Sequence, residues 1–171
     1  SGQLPAGWQD TARTYYAAME RIGHALLASL SRSLGIDQNI FRSAFDDGIS
    51  TLRLLHYLPG RAPRDAPADQ ANRFRTINGR PCELVAGEHV DSGLLTVLAQ
   101  CGVPGLQAQT ANGDWVDVPV LENGFAVNFG GLLARWTGGR VTATRDRVNG
   151  QGDVRYPIPP FFYPRPSTRM D

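Results

Sequence analysis

Cysteine and histidine are few in this 171-residue chain, and the shortage narrows what it can be. Cys82 and Cys101 are its only cysteines, too few for a disulfide framework and at no zinc spacing. They read as buried apolar fillers in a reducing setting, the cytoplasm. Charge of one sign is lacking too: 17 Lys and Arg face 16 Asp and Glu, for a formal net charge of +1. With no basic cluster, nucleic acid and acidic membrane surfaces have no electrostatic claim on it. No apolar run approaches the ~20 residues of a membrane span, and no secretory signal is visible. Histidine is the most telling shortage, with only His24, His56 and His89.

What is present is a composition of 42% hydrophobic and 19% charged residues, typical of a soluble globular protein and long enough for one domain, 1–171. The first third is helical, a preface over 8–46. Apolar residues at Tyr15, Met19, Ile22, Leu26, Leu27, Leu30 and Leu34 fall at the three-and-four spacing of a one-sided helix. Gly35 stops that helix, and Asp37 can cap a short second one carrying Phe41 and Phe45. His24 rides on the long helix as a packing or surface residue.

Past Ser50 the pattern changes to strands. TLRLLHYL is β-like, LPGRAPRDAPADQ is a Pro/Asp-rich loop, and GLQAQTANGDWVDVPV is a hairpin turning at Asn112-Gly113-Asp114. GFAVNFG is a further strand, followed by a turn region holding Gly130-Gly131 and Gly138-Gly139. VTATRDRV and VRYPIPPFF close the series. Short strands and Gly-rich turns after a helical preface predict a β-sandwich or barrel with helices packed outside.

In GEHVDSGLLTVL, His89 and Asp91 stand one residue apart at a strand end, before an apolar strand. An imidazole nitrogen and a carboxylate oxygen aimed together from a rigid sheet are two ligands of a metal that keeps open positions. A third is needed, and no histidine lies downstream.

HVDSGLLTVLAQ, GLQAQTANGDWVDVP, GFAVNFGGLLARWTGGRVTATRDRV and VRYPIPPFF, in this order, resemble landmarks of the isopenicillin N synthase-like oxygenases, which are iron(II)/2-oxoglutarate-dependent dioxygenases. LRLLHYLP looks like the strand that opens their barrel, so the likeness runs from about Thr51 to Phe162. It implies a mostly β fold with α: a double-stranded β-helix (jelly-roll) core over 50–163, preceded by a long and a short helix. The chain is short for the family. The resemblance implies an oxidoreductase that uses iron(II), 2-oxoglutarate and molecular oxygen on a small organic molecule, by hydroxylation, desaturation or cyclisation, with no nucleic-acid or membrane partner.

The family's third metal ligand is the histidine of a segment read S-T-x-H-R-V. Here the segment is ATRDRV, and Asp146 takes the histidine's place. A triad of His89, Asp91 and Asp146 offers harder donors than two imidazoles and a carboxylate: imidazole suits iron, whereas carboxylates suit magnesium, manganese and calcium. With a divalent metal its net charge falls from +1 to 0. At ~4 Å one unit charge is worth ~1 kcal/mol in water and ~4 kcal/mol at an effective dielectric of 20, enough to lower co-substrate affinity several-fold. Alternatively Asp146, flanked by Arg145 and Arg147, is an ion-paired remnant pointing elsewhere.

By the same resemblance Arg155 matches the arginine of the family's R-x-S motif, which clamps the distal carboxylate of 2-oxoglutarate, while Pro157 replaces the serine. A planar guanidinium suits that task because it pairs both carboxylate oxygens. Tyr57 matches a tyrosine that donates to the same carboxylate. Arg53, Leu55 and Tyr57 share one strand face by period two, which makes Arg53 a candidate substrate contact and turns His56 away. Asn128 resembles a polar position near the metal, and Arg147 a structural arginine. Trp115 and Trp136 read as core or rim fillers. Two rival functions remain open: a family fold that has left redox chemistry to bind a small molecule or partner, and a hydrolytic metal enzyme.

Overall fold

A computed structural model describes residues 4–65, 68–151 and 153–170. Residues 66 and 67 of the Pro/Asp-rich loop lie outside the described residues. The loop on either side is not featureless, since Pro63–Asp65 and Ala68–Arg73 form short 3-10 turns.

Helix α1 spans Trp8–Leu34, and Gly35 ends it in the left-handed conformation at φ 67°, where glycine carries no Cβ penalty. Helix α2 spans Asn39–Phe45. Asp37 acts at its start, as Oδ1 accepts from the Asn39 N–H at 2.9 Å. The apolar stripe of α1 packs on a four-stranded antiparallel sheet. Its strands are β1 (Thr51–Leu52), β4 (Leu95–Leu98), β7 (Ala126–Phe129) and β9 (Pro160–Phe162), in the order β1-β9-β4-β7. Met19, Leu27, Phe41, Leu94, Leu95, Val97, Leu133 and Phe162 form this core. Gly23 lets α1 seat closely, because any Cβ there would collide with the Phe162 ring.

The second sheet has five strands, all antiparallel. They are β2 (Phe74–Ile77), β3 (Arg80–Val90), β5 (Leu106–Gln109), β6 (Trp115–Asp117) and β8 (Arg145–Asn149), in the order β2-β3-β8-β5-β6. Two sheets with helices outside one of them make the double-stranded β-helix. Between them lies a cavity of about 290 Å³. Period two sorts the side chains: Leu95 and Val97 face the helices, while Thr96 and Leu98 line the cavity.

Four local expectations change. TLRLLHYL is regular strand only at Thr51–Leu52; its remainder is extended chain held by Arg53, Leu55 and Tyr57 N–H bonds to Pro159, Pro157 and Arg155 carbonyls. Pro157 and Pro159 cannot donate back, so the ladder is one-sided except at the Tyr57–Arg155 pair. The glycine-rich stretch after β7 contains a helix, α3 (Gly131–Trp136), whose Leu133 is fully buried in the core. The β2–β3 hairpin, with no counterpart among the strands expected from residue order, turns on Asn78-Gly79, both at positive φ (50° and 74°). Cys101 is exposed rather than a buried filler, in a turn at φ 53°; Cys82 is buried.

Candidate metal centre and its cavity

Strand β8 pairs with β3 so that His89 and Asp146 are directly opposite. Strict alternation from Ala86, which lines the cavity, would put Glu88 inside and His89 outside. A bulge prevents this: the four residues of β3 from Ala86 to His89 are matched by only three of β8, from Val148 to Asp146. His89 is thereby turned inward and Glu88 outward, where it accepts from Arg147 Nη1 at 3.0 Å and Arg75 Nε at 3.1 Å. Arg147 lies on that outer face under Trp115, its guanidinium 4.0 Å from the ring centroid.

Asp91 sits just past the end of β3, in the turn leading to β4. Gly130 and Gly131 hold that turn: the Gly131 N–H donates to the Asp91 carbonyl at 2.7 Å, and a Cβ on Gly130 would collide with Gly93. His89 Nε2 then lies 3.5 Å from Asp91 Oδ1 and 3.7 Å from Asp146 Oδ1. One donor atom from each of the three falls within 4.8 Å of the others, and they form a cluster able to hold a metal ion.

Each donor is fixed from behind. His89 Nδ1 lies 2.8 Å from the Gly87 carbonyl; donation there leaves Nε2 facing the carboxylates. Thr96 Oγ1 donates to Asp91 Oδ2 at 2.6 Å. Asn128 Nδ2 donates to Asp146 Oδ2 at 2.7 Å, with a longer contact to Asp91 Oδ2 at 3.4 Å. Both carboxylates therefore commit Oδ2 to the protein and leave Oδ1 to the centre. Thr96 carries no motif of its own; its only trace in the sequence is its place between Leu95 and Val97, on the opposite strand face. Arg145, one of the candidate ion-pair partners of Asp146, is exposed, and Arg147 is engaged on the outer face.

Proton affinities follow this arrangement. The hydrogen bond to Asp91 chiefly raises the His89 imidazole to about 9, against the opposing effect of burial. Burial chiefly raises Asp146 to about 6; the nearby His89 lowers it and Asp91 raises it further. Asp91 is pushed up by burial, but hydrogen bonds from His89 and Thr96 outweigh that and hold it below its ordinary value.

At the other end of the cavity Tyr57 and Arg155 form a backbone bridge with bonds of 2.9 Å in each direction, and both side chains line the space. Arg155 is 4% exposed, and its Nε and Nη1 are buried with no hydrogen-bond partner. Burial lowers its proton affinity, as it does for any cation removed from water, and raises that of Tyr57. Pro157 also lines the cavity. Arg53 is exposed and stands over Phe161, 4.8 Å from the ring centroid, while Phe161 lines the cavity beneath it. His56 faces away, stacked on Tyr156 at 4.8 Å.

The family model of the 2OG-Fe(II) oxygenase superfamily matches residues 49–164. The clavatol oxidase of Penicillium crustosum is 33% identical over 162 residues, 93% of this chain and 44% of the relative. The 2-oxoglutarate-Fe(II) type oxidoreductase hxnY of Emericella nidulans is 33% identical over 161 residues, 93% of this chain and 42% of the relative. Among solved structures, a full-length Neurospora crassa protein in complex with alpha-KG superposes with a TM-score of 0.78 at 30% identity, covering 94% of this chain and 47% of that one. The chain belongs to the 2OG-Fe(II) oxygenase superfamily. It spans less than half the length of these curated relatives.

Proposed function

We propose that this chain carries the centre of an iron(II)- and 2-oxoglutarate-dependent dioxygenase of the isopenicillin N synthase-like kind, acting on a small organic molecule with molecular oxygen as co-substrate. The observation that carries the reading is the buried, unpaired Arg155 in the same cavity as the His89–Asp91–Asp146 cluster. A guanidinium with two orphaned nitrogens in an apolar wall is costly unless an anion reaches it. A carboxylate at Arg155 fits that need, and the three convergent donors fit a divalent cation. The His89 Nε2 contacts of 3.5 and 3.7 Å, with all three donor atoms within 4.8 Å of one another, leave the set close enough to share one ion.

Iron(II) with the 2-oxo acid supplies the oxygen-activating oxidation; the protein positions and shields. Arg155 anchors the distal carboxylate, and Tyr57 beside it offers a further donor. His89, Asp91 and Asp146 would hold the ion, each through one ligand atom. Apolar walls, including Leu98, Leu106 and Val118, keep water scarce around the reacting groups. Arg53 does not line the cavity itself, and its stacking on Phe161, which does, supports a substrate contact at the cavity's edge. Among the described residues no helix is long and apolar enough to cross a membrane. Two unpaired cysteines and a metal used in its reduced state support a reducing, cytoplasmic setting.

The test is release of carbon dioxide and succinate from 2-oxoglutarate by the chain with iron(II), oxygen and no added substrate. Slow uncoupled turnover is expected. Binding of 2-oxoglutarate with manganese(II) but no turnover with iron(II) would favour a second reading, in which Asp146 in place of the family's histidine leaves a binding protein without oxidation.

A further inference from the structure

The two ends of the cavity make unequal demands on a ligand when no metal is bound. At the inner end Arg155 is a nearly fully buried cation whose Nε and Nη1 have no partner, and none of the ion pairs among the described residues includes it. An anion is the group that satisfies it. At the other end the donors are already committed. Thr96 Oγ1 and Asn128 Nδ2 donate to Asp91 and Asp146, His89 Nδ1 lies against the Gly87 carbonyl, and Nε2 faces both carboxylates. What this end shows an incoming ligand is two carboxylates about a single imidazole, a net negative group even with that imidazole protonated. A second anionic group of that ligand would be driven from it by like charge. Between the ends the walls are apolar: Leu55, Leu98, Leu106, Ala108, Val118 and Phe161.

We propose that without a metal this cavity is a receptor for small monocarboxylic acids with an apolar body, and selects them over dianions. The carboxylate would pair with Arg155, and the hydrocarbon would lie along the walls with its end short of Asp91 and Asp146. The inference rests on Arg155 as anchor, which it shares with the reading above, but on no metal and no turnover. It gives the chain a ligand class distinct from the 2-oxo acid of the oxygenase, and a state in which cellular monocarboxylates compete with assembly of the metal centre's co-substrate complex.

The experiment uses the full chain, stripped of metal with a chelator, desalted and held at pH 8, with binding read by calorimetry. Hexanoate is the probe; hexanamide and 2-oxoglutarate are the comparators. Hexanoate should bind at least about 10-fold more tightly than either, because hexanamide lacks the charge for Arg155 and 2-oxoglutarate brings a second one to the acidic end. Arg155→Met should abolish hexanoate binding. The hexanamide comparison makes the same point on the unaltered chain, so the proposal stays testable even where the substitution disturbs folding. Hexanamide binding as well as hexanoate would overturn the proposal, and so would 2-oxoglutarate matching hexanoate without metal. Addition of manganese(II) separates the two readings: failure of 2-oxoglutarate to bind then overturns the co-substrate assignment and leaves the metal-free hexanoate result standing.

Discussion

The acidic end of the cavity answers its own electrostatic needs, whereas the Arg155 end does not. Around Asp91 and Asp146, three donors (Thr96, Asn128 and His89) come from two sheets, and every carboxylate oxygen there lies near a donor. Around Arg155 the walls are apolar and two guanidinium nitrogens are orphaned. The difference teaches which end can be stable empty. Carboxylates held by hydrogen bonds need no metal to be tolerated in a fold; a buried guanidinium without a partner destabilises it until an anion arrives. The acidic end is thus organised in advance, whereas Arg155 is left without a partner.

The sharpest way to break this comparison is at Arg155. Removing it by Arg155→Met should lower 2-oxoglutarate affinity, measured with manganese(II), by about 100-fold or more, since a paired charged contact is lost. Metal affinity should hardly change. Loss of metal binding as well would show that the two ends are not separable.

Next in size is the acidic end. Asp146→Ala should weaken manganese(II) binding by about 10- to 100-fold, and Thr96→Val, acting only through Asp91, by about 10-fold. Titration showing no change with Asp146→Ala would put residue 146 outside the coordination sphere. Asp146→His restores the imidazole of the family triad and raises the charge of the loaded site by one. It should tighten iron(II) by about 10-fold and strengthen 2-oxoglutarate binding by several-fold, seen as a visible chelate band and faster uncoupled decarboxylation.

Tyr57→Phe removes at most one hydrogen bond to the ligand, so co-substrate affinity should fall only about 3- to 10-fold. An effect equal to that of Arg155→Met would mean that the carboxylate is held elsewhere.

The smallest effect is on stability. His89 is raised to about 9 from 6.5 and Asp146 to about 6 from 3.8, so the folded chain binds more protons than the unfolded one in both windows. The favourable contribution of His89 is complete below about 6.5 and disappears as pH rises through 9; that of Asp146 disappears between about 4 and 6. Melting temperature of the metal-free chain should therefore fall slightly as pH rises from about 6.5 to 9, and His89→Gln should flatten that slope. Nearly half of the His89 side chain is solvent-accessible, which keeps the effect modest. A slope unchanged in His89→Gln would place its origin outside the acidic end.

Much of this arrangement could be read from residue order. The three-and-four spacing from Tyr15 to Leu34 and the glycine after it mark α1 to its end points, because helix periodicity and a left-handed stop are local properties. Asn112-Gly113 marks the β5–β6 hairpin for the same reason, and Asn78-Gly79 is an equal signal for β2–β3, hidden beside a Pro/Asp-rich loop. Less was legible where prolines and glycines crowd. Extended chain at Arg53–Tyr57 resembles a strand in composition, yet its partner segment carries Pro157 and Pro159, which have no N–H to complete a ladder. The helix α3 begins among glycines that suggest only a turn; it forms because Leu133 finds a place in the core.

Residue order was enough to name the candidate donors: one histidine, two aspartates and an arginine, with a carboxylate at 146 where the family carries an imidazole. Only the tertiary structure decided where they aim. The bulge in β3 turns His89 into the cavity, against the alternation that would have sent Glu88 there. Asn128 meets Asp146 because β7 of one sheet faces β8 of the other, a contact between residues 18 positions apart. Arg155 is left unpaired in a cavity whose lining carries carboxylates only at Asp91 and Asp146, and both of these are engaged elsewhere. The physical reason is that side-chain type is a local property, whereas burial and the partner across a sheet are fixed by the register of strands distant in the chain.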